Sequence, residues 1–340
     1  MTTDVPSEDG AAGKEAARTP AECLEAWLRG GPPPRLEAEI PKETVEAWRA
    51  QGLGPRQSPE RAFGIVRIEE SGITFRKTGR VAADVGSEEG AARLAAHYRA
   101  DDPKRWPADW AARLERWRRS GALVGIAGWH EGFFQAIGIR DSASLTSALP
   151  ALLDSPERVG RYMERHLRFI LELLGRALGE FAPPIGIFYE AIASNHAPVI
   201  SPALYAKFAL EPLRRIVEAY RASGVRLTFV RTAGAIESLI PIWLEAGIDG
   251  IYVNQTAPAG IDFVALRRRF GPRLKLLGGI DWRLVARGKE GYGALKDRAR
   301  ALLGFSGVIP YMDDTVRPYI AFDDFRRYRE TLNELLEPRS

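Results

Sequence analysis

From residue 122 onward the chain repeats one pattern: a short, nearly unbroken apolar run, then a longer stretch in which apolar residues recur every three or four positions. The apolar runs are 123–127, 185–189, 227–230, 250–253, 274–277 and 308–311. The amphipathic stretches between and after them are 156–178, 202–222, 235–246, 263–270, 291–303 and 322–336. Runs this apolar bury both faces, and strands that alternate with helices pair in parallel, because a parallel pair needs a crossover. The pattern predicts an α/β fold. No Gly-x-Gly-x-x-Gly follows the first run, and Gly278-Gly279-Ile280-Asp281 lacks the third glycine of a dinucleotide site. Six strands, with further ones expected in the N-terminal third, approach the eight of a closed (β/α)8 barrel, known as the TIM barrel.

Upstream of the repeat the pattern is different. Residues 1–19 mix Ser, Gly, Ala and charged residues and predict a disordered tail; residues 20–121 predict an arm packed on a barrel body of residues 122–340. Within the arm, helical pieces are broken by Gly30-Gly31-Pro32-Pro33-Pro34. The alternating runs 65–68 and 73–76, with turn residues between them, predict a β-hairpin extension. Helical spacing returns over 87–120, interrupted near Asp101 to Pro107. Trp106, Trp110 and Trp117 form a stripe that predicts either core or an apolar homodimer surface.

Composition narrows the partners. The 48 Lys plus Arg against 44 Asp plus Glu give a net charge of +4, with the two signs interspersed, so no nucleic-acid footprint appears. Cys23 alone cannot form an internal disulfide, and the chain has neither a signal-peptide apolar run nor a membrane-length segment, which together predict a cytoplasmic protein.

In a barrel the working groups stand at the C-terminal ends of strands. That rule selects Trp129-His130-Glu131, Glu190 with Asn195 and His196, Arg231-Thr232, Asn254-Gln255, Asp281, and Asp313-Asp314 with Arg317. Arg231 and Arg317 suit a small anionic substrate, because a guanidinium forms a bidentate fork with a carboxylate. His130, Glu190 and Asp281 are the candidate proton carriers. Trp129, Asn195, His196, Tyr205, Asn254 and Asp314 join the arginines as candidate substrate contacts. His97 and His166 fall inside amphipathic stretches and read as structural. No dense His/Cys spacing predicts a metal, and no motif demands a cofactor.

Three segments carry a family resemblance: Glu190 through Asn195-His196 and Ile200-Ser201-Pro202, with the Tyr205 helix after it; Glu245-Ala246-Gly247-Ile248-Asp249-Gly250 leading to Leu277-Gly278-Gly279-Ile280-Asp281; and Val316-Arg317-Pro318 before the last helix. In order and spacing they resemble the uroporphyrinogen decarboxylase (URO-D) superfamily. The resemblance implies a (β/α)8 barrel and one of two chemistries, metal-free decarboxylation or zinc-dependent methyl transfer with a corrinoid protein as partner. It places Arg231 and Ala233 where the methyltransferases carry a zinc-binding His and Cys, and Met312 to Asp314 near the third ligand. The expected function is therefore metal-free decarboxylation of a small carboxylated molecule. The alternatives are corrinoid methyl transfer and a non-catalytic ligand-binding barrel.

Overall fold

Alternation inside each strand builds two separate apolar layers. The computed structural model describes residues 18–77 and 82–337. Its sheet has seven strands: β1 (Glu69–Glu70), β2 (Val124–Trp129), β3 (Ile185–Glu190), β4 (Leu227–Ala233), β5 (Gly250–Asn254), β6 (Lys275–Leu277) and β7 (Val308–Ile309). They lie in sequence order and every neighbouring pair is parallel. Ile185, Ile187, Leu227, Phe229, Tyr252, Leu277 and Ile309 point to the inside of the curled sheet and form one cluster. Phe188, Val230, Ile251, Val253, Leu276 and Val308 point outward into a second cluster with the covering helices. Helices occupy the crossovers as expected: Pro156–Glu180, Pro202–Ala222, Phe263–Phe270, Tyr292–Leu303 and Phe322–Leu336.

The arm is part of the barrel, which corrects the boundary at 121/122. β1 falls at Glu69–Glu70, just past the first of the two alternating runs and on residues expected to form the turn, and it pairs parallel to β2. The second, 73–76, has no strand, so the hairpin extension is not formed. Its residues are held by Arg105, which is fully buried and donates to the carbonyls of Thr74 (3.0 Å), Arg76 (2.8 Å) and His97 (2.9 Å). A cation reaching these carbonyls and that of Arg99 satisfies a loop that has no ladder of its own. The tail reading over 1–17 lies outside the described residues, while Thr19 is ordered and caps the Pro20–Leu28 helix. Leu24 and Trp27 of that helix join the cluster inside the sheet, so the helix packs into the barrel interior.

One further segment lies between the two edges of the sheet. Leu36 bridges in parallel to Val66, just ahead of β1. The backbone N–H of Val316, beyond β7, donates to Glu39 O at 2.8 Å. Met312 N–H donates to the Glu37 carboxylate at 3.3 Å, and Ala38 N–H to the same oxygen at 2.8 Å. Arg329, on the last helix, donates to the other Glu37 oxygen at 2.9 Å and to Leu36 O at 3.1 Å. The side chains of this ion pair are 1% and 0% exposed. A charge pair so far from water is held by geometry, and either partner left alone would be an uncompensated buried charge.

The tryptophan stripe is internal packing. Trp106, Trp110 and Trp117 meet edge to ring at 5.0 and 5.7 Å, Phe181 lies tilted against Trp117 at 5.5 Å, and Trp117 is buried. Among the described residues no helix is long and apolar enough to cross a membrane. Arg329→Met, which strands the Glu37 carboxylate, is expected to cost about 3–5 kcal/mol in urea unfolding. The double variant Glu37→Gln/Arg329→Met should cost measurably less than Arg329→Met alone.

Candidate functional site

Strand register assembles the site. Tyr189 lies beside Arg231 across β3 and β4, and Arg231 lies beside Tyr252 across β4 and β5. Residues in register on parallel strands share a face, so the three side chains form one row across the inside of the barrel. The Arg231 guanidinium stands over both rings, 5.7 Å from the Tyr189 centroid and 5.5 Å from that of Tyr252. Two aromatic faces fix the direction of a planar cation that would otherwise sample many rotamers. Tyr311 stacks on Tyr252 at 5.5 Å, extending the row. Glu70, at the end of β1, accepts from the Tyr189 hydroxyl and lies 3.8 Å from Arg231 Nη1.

These groups line a cavity of about 760 Å³ inside the barrel. Glu37, Glu39, Glu60, Glu69 and Glu70 line it, against Arg67 and Arg231. Most of these acids are already paired: Glu37 to Arg329, Glu60 to Arg67 and Glu69 to Arg116. The lumen is therefore less cationic than two free arginines would make it. Arg317 does not reach it; that side chain is 47% exposed and lies 3.8 Å from Asp314.

Alternation by one residue separates the sequence-selected groups. Trp129, Glu190 and Tyr205 meet on the outer face, between sheet and helices. The Glu190 carboxylate is buried and accepts from Trp129 Nε1 (3.2 Å), Phe133 N–H (3.0 Å) and the Tyr205 hydroxyl (2.9 Å). Trp243 Nε1 donates in turn to the Tyr205 oxygen at 3.2 Å. Burial pushes the Glu190 carboxyl up to about 7, although its hydrogen bonds pull the other way. Glu190 and Arg231 thus face opposite sides of the sheet, and Glu190 as a proton carrier in the lumen is overturned.

His130 does approach the mouth. Its ring stacks on Tyr189 with centroids 5.5 Å apart, and its Nδ1 is buried with no hydrogen-bond partner. Burial, with Arg76 adding to it, lowers its pKa to about 4, so it is neutral at pH 7. Asp281 is used elsewhere: it caps the Trp282–Ala286 helix and is forked by the Arg283 guanidinium. Asn195 and His196 sit in an exposed turn. Asp314 is buried, bonded to Gln255 Nε2 at 2.9 Å and Thr315 N–H at 2.7 Å. Neighbouring Asp313, raised by burial, accepts from Thr256 and Trp282. Asn254 ends β5 with its Oδ1 buried and unpartnered. Sequence reasoning passed over Glu70, Tyr189, Tyr252 and Tyr311, although all four stand within two residues of the end of a strand.

The zinc of the methyltransferase branch does not fit these residues. Its first position holds the Arg231 guanidinium between two tyrosines and its second holds Ala233. Among the described residues no group of three or more His, Cys, Asp or Glu side chains is placed to hold a metal.

A carboxyl held at about 7 when folded and 4.5 when free favours the folded state below pH 4.5, and this contribution is lost as pH rises through 7. His130, lowered from 6.5 to about 4, acts in the opposite sense, losing stability as pH falls through that range. The Glu190 share is therefore read as a difference. The stability of the native chain relative to Glu190→Gln should fall by about 3 kcal/mol between pH 4.5 and pH 8 in denaturant titrations.

Comparison with known proteins agrees with this architecture. Residues 135–303 match the family model for uroporphyrinogen decarboxylase (URO-D). Among solved structures, a methyltransferase from Methanosarcina mazei superposes with a TM-score of 0.62 at 13% identity, covering 94% of this chain and 100% of that one. A Bacteroidetes-affiliated GH5 cellulase aligns with a TM-score of 0.43 at 12% identity, covering 82% and 93%. At 13% identity the likeness to the methyltransferase speaks for the fold alone. The parallel barrel sheet thus carries, over residues 135–303, a uroporphyrinogen decarboxylase (URO-D) domain.

Proposed function

We propose that the lumen is an active site for metal-free decarboxylation of a small carboxylated molecule. The observation that carries this reading is Arg231 held in register between Tyr189 and Tyr252 inside a cavity of about 760 Å³. Arg231 draws in the substrate's anionic end. Its contact to Glu70, at 3.8 Å, is long enough to give way to a closer carboxylate. The remaining acids of the wall disfavour a polyanion, so the substrate is a compact acid with few charges.

Breaking the bond to the carboxyl carbon releases CO2 and leaves its electron pair on the substrate. That pair must be delocalised in the substrate's own π-system and then quenched by a proton. Arg231 is fixed positive charge beside the place where negative charge accumulates. The Tyr189 hydroxyl is the neighbouring O–H: it passes its proton to the carbanion, and the phenolate regains one from solvent at Glu70. Burial and the Glu70 charge raise the Tyr189 pKa, which keeps the proton on oxygen until a strong base forms. His130, neutral above Tyr189, offers a hydrogen-bonding edge at the rim.

The reading is tested by incubating the purified protein with a panel of aromatic and β-keto acids and measuring CO2 release. Arg231→Ala should weaken binding of an active acid by about 10- to 150-fold in calorimetry, the value of a hydrogen bond to a charged group. Tyr189→Phe should retain binding and lose most of the turnover. Unchanged affinity in Arg231→Ala would remove the anchor and the reading with it. Stoichiometric zinc, or methyl transfer to a cobalamin protein, would transfer the chain to the methyltransferase reading.

A further inference from the structure

The turn that carries His130 is folded around a carboxylate from the other side of the sheet. Of the three donors to Glu190, two bracket His130 in sequence: the indole of Trp129 and the backbone N–H of Phe133. Between them Gly132 has φ +72°, and a Cβ there would fall 2.9 Å from Glu190 Oε1 and 3.1 Å from Tyr189 O. Only glycine lets the chain close this tightly upon β3. His130 then stacks on Tyr189, the residue immediately before Glu190. From outside, the next residue, Glu131, is tied to Lys77 Nζ at 2.9 Å and Lys77 N–H at 3.1 Å, and to the Tyr98 hydroxyl.

We propose that Glu190 is a positioning residue that acts through the Trp129–Phe133 turn to hold the His130 ring on Tyr189 at the mouth of the lumen. The inference rests on the reading of that lumen as the active site, and it gives a use to a buried carboxylate that the reaction itself does not touch. Burying an acceptor behind a sheet is costly unless donors meet it. Here the donors come from the loop whose shape matters, so satisfying the carboxylate and aiming the imidazole are one event. Tyr205, the third donor, lies on the Pro202–Ala222 helix, and its ring packs edge-on against Phe133 of the turn, a contact that Tyr205→Phe keeps while losing only the hydroxyl. Removing it takes a hydrogen bond from Glu190 without releasing His130.

Histidine-selective NMR titration of the full chain separates these roles, since the chain has only four histidines and His130→Asn assigns the signal. In the native protein His130 should titrate near pH 4. In Glu190→Gln and in Trp129→Phe its midpoint should rise by at least about one pH unit towards the free value, as the ring leaves its cover. In Tyr205→Phe it should stay within about 0.3 unit of the native midpoint, whatever stability is lost. Glu190→Asp, which keeps the carboxyl on a shorter arm, provides a second reading if the glutamine variant does not fold. An unmoved His130 in a folded Glu190 variant, or an equal shift in Tyr205→Phe, would overturn the inference. Calorimetry of Arg231→Ala is independent of this result, so loss of the positioning role and loss of the active-site reading are told apart.

Discussion

The architecture depends on joining the two edges of a parallel sheet. Edge strands leave rows of unpaired backbone groups, and a curled sheet with short first and last strands has little ladder with which to satisfy them. β1 and β7 are each only two residues long. The Leu36–Glu39 segment fills the gap with one bridge, one backbone hydrogen bond and the Glu37 carboxylate, which accepts where a longer strand would have supplied carbonyls. A buried carboxylate tolerates that role because Arg329 meets it with a full charge. The ion pair therefore stands in for missing strand length.

Everything placed inside the lumen inherits its geometry from the register of the sheet thus closed. Tyr189, Arg231 and Tyr252 are far apart in sequence and adjacent only because three parallel strands are in step. A slip of one residue in β4 would turn Thr232 inward and send Arg231 among the helices. The same alternation gives the outer layer its own polar network, in which Glu190, Tyr205, Trp129 and Trp243 satisfy one another away from the cavity. The two networks touch at the Trp129–Phe133 turn, which borrows its shape from one and delivers His130 to the other.

Much of this was readable from the amino acids, for identifiable reasons. The six apolar runs became β2 to β7, and the Pro202–Ala222 and Phe322–Leu336 helices fall on their expected residues, because long periodic segments are decided locally. β1 was not legible, since Glu69 and Glu70 read as turn residues: a two-residue parallel pairing to β2 depends on where the barrel closes, and nothing near Ile65 to Glu70 reports that. Choosing Glu190 over Tyr189 had the same cause. Both end an apolar run, and only the register decides which faces inward. Arg231 was legible because a guanidinium after a wholly apolar run has few other uses. Asp281 and Asp314 were not distinguishable from it by type, yet one caps a helix and the other pins the Gln255 loop.

The seam also orders events in time. Glu37 and Arg329 are 292 residues apart, so the contact that completes the ring spans most of the described residues. Such a long loop is closed at an entropic cost that is repaid only when both ends are present. Until the Phe322–Leu336 helix is in place the Glu37 carboxylate has no charged partner, and the two edges of the sheet stay unjoined.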